Sequence, residues 1–151
     1  MLDTIRHLTS ISTEKHIVIA FEKITIGDRP EEKKSGFYIA ALDRANSKDT
    51  KDLYARADRI QDTTGCIGVS SLAQNNGIVT WVFSELTRNK GYRLCFGLYF
   101  EPGKFQTCSD RESYGKIEKI SIEYFADGTS LILWDEQDPC GCGSRGVYEA
   151  H

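Results

Sequence analysis

Ile117-Glu-Lys-Ile-Ser-Ile-Glu-Tyr-Phe-Ala-Asp-Gly-Thr-Ser-Leu-Ile-Leu-Trp134 reads as two strands and the turn that joins them. Asp127-Gly128 is a type I′ turn signal, because that turn needs φ > 0 at both central residues. A two-residue loop there predicts that Ala126 faces Thr129, Tyr124 faces Leu131 and Ile122 faces Leu133. Side chains alternate along a strand, so Ile120, Ile122, Tyr124, Leu131 and Leu133 would share a core face. Ser121, Glu123, Phe125, Ile132 and Trp134 would lie on the other. Phe125, Ile132 and Trp134 then need a cover, either a helix of this chain or another molecule.

Working outward, the same patterning yields more strands. Tyr92, Leu94, Phe96, Leu98 and Phe100 alternate with Arg93, Cys95, Gly97 and Tyr99. Ile78 to Phe83 is a second strand, and the spacing pairs 78–86 with 92–100 as a hairpin around Arg88-Asn-Lys-Gly91. Ile17-Val-Ile-Ala-Phe21 is a continuous β-branched run suited to burial on both faces. Phe37 to Leu42 follows it after a charged loop over 27–36. Leu2, Ile5 and Leu8 recur at helical spacing, which predicts a short N-terminal helix. Ser47 can cap a longer one, with Asp49 and Asp52 at its positive end and Leu53, Ala57 and Ile60 on one face. Residues 135–151, with glycines and cysteines, read as a C-terminal loop or tail. The expected architecture is a single α+β domain spanning 1–151. It has a mainly antiparallel sheet of about five to seven strands, with one principal helix packed on a face.

Composition narrows the function classes. The chain has 151 residues, 40% hydrophobic and 27% charged, which suits one globular domain with a real core. The net charge of −3 and the absence of a long basic run speak against non-specific nucleic-acid binding and against anionic membranes. Asp3, Arg6 and His7 break the first apolar residues, so they do not form a signal peptide. No stretch approaches the roughly 18 apolar residues of a membrane span. Five cysteines, an odd number without an export signal, point to reduced thiols and a cytoplasmic setting.

Chemistry is less legible. Cys140 and Cys142 could share a zinc ion, with Cys108 or His151 completing a tetrahedron, but C-x-C is tighter than the usual pair spacing. Asp135, Glu136 and Asp138 supply oxygen ligands from only one run, weak grounds for Mg²⁺. His7 and His16 have the right pKa for general bases but sit in no catalytic pattern. Pro139-Cys140-Gly-Cys142 lacks the spacing of a zinc deaminase. Lys90-Gly91-Tyr92 opens like an RNA-recognition motif, yet Arg93 and Leu94 break the pattern and the aromatics fall on a core face.

The reading this leaves is a non-enzymatic binding protein that occludes a macromolecular partner, of the inhibitor or toxin-neutralising immunity type. Phe125, Ile132 and Trp134 would anchor a protein partner, and Asp135, Glu136 and Asp138 would steer a basic one. No cofactor is required, and self-association is open. The rivals are a small enzyme acting on a nucleotide or nucleic acid, and a small-molecule or zinc-binding module holding metal at Cys140 and Cys142.

Overall fold

The apolar runs do become strands, but among the described residues no principal helix accompanies them. The computed structural model describes residues 2–106, 109–113, 115–137 and 144–150, the last segment in its backbone. Within these residues the chain is nearly all β. Four strands, β1 (Leu2–Ser12), β2 (His16–Ile26), β3 (Lys34–Asp43) and β4 (Asp58–Asp62), form the first antiparallel sheet in that order. The second contains β5 (Ile67–Asn75), β6 (Ile78–Leu86), β7 (Tyr92–Glu101) and the short β8 (Lys104–Phe105), with β9 (Ser109–Ser113) also paired to β7. The third is β10 (Ile117–Tyr124), β11 (Ser130–Glu136) and β12 (Ser144–Ala150).

The α+β expectation fails at both helices. The segment with Leu2, Ile5 and Leu8 is β1, paired along its length with β2 and kinked at a bulge between Arg6 and Thr9. The residues after Ser47 are turns, followed by β4. Short polar side chains explain this. Asp43 Oδ1 accepts from the Ala45 amide, Asn46 Oδ1 from Lys48, and Asp49 Oδ2 from Asp43. Such local bonds offer the backbone an alternative to the helix ladder. Asp52, with φ of 54°, then breaks any right-handed run. Leu53 and Ala57 still pack on the first sheet against Ile19, Phe21 and Ala40. Ile60 instead enters the central core from β4.

The second sheet lies between the other two. Val79, Trp81 and Phe83 of β6 meet Val18, Ala20, Phe37 and Ile39 of the first sheet. Val82, with Leu94 and Phe96 of β7, meets Ile117, Ile132 and Trp134 of the third. Both faces of the middle strands are therefore apolar. Burying each large side chain contributes roughly 1.5–3 kcal/mol. Gly97, opposite Trp81 in register, is required there, because a Cβ would overlap the indole ring.

The closing hairpin differs from expectation by one residue. Phe125 N–H donates to Thr129 O at 2.9 Å and Gly128 N–H to Phe125 O at 3.0 Å, and only Gly128 has positive φ, at 90°. This is a three-residue loop ending in a left-handed glycine, not a type I′ pair. Ile122 consequently faces Ile132, and Ile120 faces Trp134. The inward face is Ile120, Ile122, Tyr124, Ile132 and Trp134, and Leu131 and Leu133 turn outward. A type I′ turn does occur at Asn76-Gly77, where both φ values are positive. Residues 144–150, within the expected tail, pair with β11 as β12.

Candidate functional site

Glu22 continues the apolar run of β2, and Glu85 continues that of β6. Each has an arginine directly opposite in register, Arg6 for Glu22 and Arg93 for Glu85. Both glutamate side chains are 0% exposed, and such groups enter a core only when charge and hydrogen bonds are matched. Arg6 Nη2 donates to Glu22 Oε1 at 3.1 Å. Arg93 grips Glu85 Oε1 through Nε and Nη2 and reaches Asp110 at 3.6 Å.

The connection from β4 to β5 completes the seam. Thr63 donates its hydroxyl to Glu22 Oε2 at 2.9 Å, and the Thr64 amide donates to Glu85 Oε2 at 2.9 Å. Successive residues of an extended chain point to opposite sides, so one threonine serves the first sheet and the next serves the second. Burial opposes the charge on Arg93, yet Cys95, Glu85 and Asp110 outweigh it and hold its pKa above the ordinary value. Every oxygen of both glutamates has a donor. The arrangement fastens two sheets together.

Among the grooves of the described residues, one touches this frame at its threonines and another lies apart from it. A small one of 220 Å³ lies over the seam and is lined by Lys33, Arg59, Asp62, Thr63, Thr64 and Arg88, with Ser35. A wider one of 650 Å³ includes His16, Glu14, Gln74, Asn76, Phe100 and Glu101. The Glu101 carboxyl is held below its usual range by its hydrogen bond to Lys104 and by that lysine's charge, with a weaker pull from His16.

The residues expected to bind a partner are dispersed. Phe125 is exposed at the hairpin loop, and Asp135 is half-buried on the outward side of β11. Ile132 is fully buried and Trp134 is 8% exposed, both turned inward by the one-residue register difference. Glu136 accepts the Trp134 indole N–H at 2.8 Å and so supports the core. Asp138, Cys140, Cys142, Cys108 and His151 lie outside the described residues. Among the described residues no three His, Cys, Asp or Glu side chains group to hold a metal. His7 stands in the bulge of β1 with φ of 56° and is exposed. No family model, curated protein or solved structure matches this chain. Nor, among the described residues, is any helix long and apolar enough to cross a membrane.

Sequence reasoning missed the Glu22 and Glu85 seam. Its signal was present: a glutamate ending each apolar run, and an arginine at the matching place on the neighbouring strand.

Proposed function

We propose that this chain is a non-enzymatic, cytoplasmic binding protein that occludes a macromolecular partner, as inhibitors and toxin-neutralising proteins do. The observation that carries this reading is the outward face of the third sheet. Leu131 and Leu133 stand half-buried on its central strand, with Asp135 beside them, Glu123 exposed on β10 and Phe125 exposed at the loop. Apolar residues beside a charged rim, in which Asp135 faces Lys119 in register, are the composition of a docking face for a protein partner.

Isolation from native cells followed by intact mass under non-denaturing conditions tests this. A stoichiometric protein complex, weakened in Leu131→Lys and Leu133→Lys variants that remain folded, is the expected result. A bare monomer carrying a small ligand would overturn it. That outcome favours the second reading, a small enzyme acting on a nucleotide, whose support is His16 near Glu101 in the wider groove. Activity lost in His16→Ala would then locate the chemistry.

A further inference from the structure

From the small groove over the seam we infer a binding site for a phosphate-sized dianion, held by Lys33, Arg59 and Arg88. This is independent of the partner reading. Three cations from three separate elements converge there against one carboxylate, Asp62. Arg59 pairs with Asp62 at 2.8 Å and donates to Ser35 O at 3.0 Å. Lys33 and Arg88 have no ion-pair partner among the described residues, so the groove carries uncompensated positive charge in a protein whose net charge is −3.

Hydroxyl chemistry also sorts the ligand. Ser35 gives its proton to Thr63 O at 2.5 Å, and Thr64 Oγ1 donates to Leu86 O at 2.7 Å. The free donors facing the groove are therefore cationic, which selects an anion over a neutral sugar or base. The volume, 220 Å³, is below the roughly 300 Å³ at which ordinary cofactor pockets begin, so the site suits a single phosphoryl group.

The loop that presents Arg88 adds a second observation. Lys90 N–H donates to Thr87 O and Thr87 N–H to Gly91 O, the same bonding pattern as the 125–129 loop. There the left-handed place is held by Gly128, whereas here Lys90 takes it with φ of 61°. Left-handed backbone costs a lysine more than a glycine, and such strain clusters at functional sites. The same loop carries Arg88 to the groove that Arg59 and Lys33 also line.

The test is an amide-resolved NMR titration of the full chain with inorganic phosphate at constant ionic strength, repeated with glycerol phosphate. Saturable shifts confined to residues near 33–35, 59–64 and 88 are expected. The Lys33→Gln/Arg88→Gln double variant should bind about tenfold or more weakly, since a charge-assisted hydrogen bond and its loss are of that order. Lys48→Gln, remote from the groove, should leave affinity unchanged, and Asp62→Asn should raise it. Tighter binding of glycerol phosphate would assign the natural ligand as a phosphate monoester, and equal binding would assign the free anion. Linear, unsaturable shifts, or equal binding by the double variant, would overturn the site.

Discussion

The two tryptophans sit in the two layers of the core and are treated differently. Trp81, between the first and second sheets, is 0% exposed, and its indole N–H has no partner among the described residues. Trp134, between the second and third, is 8% exposed and gives its N–H to Glu136. The first layer is built on aromatic packing, with Phe37 centred 5.6 Å from Trp81 and 4.6 Å from Phe83. Its buried carboxylates are gathered in the Glu22 and Glu85 seam. The second layer is more aliphatic and carries hydroxyls within it: Tyr124 donates to Thr80 Oγ1 at 2.7 Å, and Thr80 meets Ser130 at 3.1 Å. The contrast separates two tasks. Aromatic burial supplies stability even with one N–H left unmatched, while a satisfied hydroxyl chain fixes register.

Mutations can break that contrast. Trp81→Ala should lose about 4 kcal/mol by urea unfolding, in the range for large aromatic truncations. Trp134→Ala should lose at least about 1 kcal/mol less, because water reaches its rim. Equal losses would mean the layers are energetically alike. Arg93→Met should cost about 3 kcal/mol, since it leaves the Glu85 carboxylate buried without its cation. A neutral result there would make the seam dispensable. Thr80→Val should cost about 1–2 kcal/mol by removing the hydroxyl that links Tyr124 and Ser130.

Alkaline unfolding sharpens the picture further. Burial and the hydrogen bond to Asp58 raise the Tyr99 pKa well above its ordinary 10.0, and burial raises that of Tyr124. Above pH 10 the unfolded chain sheds these protons while the native one keeps them, so stability should fall as pH climbs from there. Tyr99→Phe should flatten the decline. Outside both layers, Lys90→Gly should add about 1 kcal/mol by relieving a left-handed lysine.

How far the sequence speaks for itself depended on the length scale of the signal. The Ile17–Phe21, Ile78–Phe83 and Tyr92–Phe100 runs announce strands because many residues agree. The helix after Ser47 rests on three apolar positions, and the competing Asp43, Asn46 and Asp49 side chains outweigh them. Asp127-Gly128 marks a turn correctly but does not distinguish a two-residue loop from a three-residue one. That single residue sends Ile132 and Trp134 inward and Leu131 and Leu133 outward. The seam was hidden for another reason. Glu22 and Glu85 are distant in the chain, and only the sandwiching of sheets brings their threonine partners between them.

The middle position of the second sheet has a consequence for biosynthesis. Residues 2–62 leave the ribosome before the second sheet and can complete one outer layer, so Val79, Trp81 and Phe83 meet a finished surface as they emerge. Val82, Leu94 and Phe96 have no such cover until residues 117–134 are made. A nascent chain whose residues through 113 have cleared the ribosome while 117–134 have not therefore displays a bare apolar sheet face, the kind of surface that chaperones hold and that neighbouring chains aggregate upon.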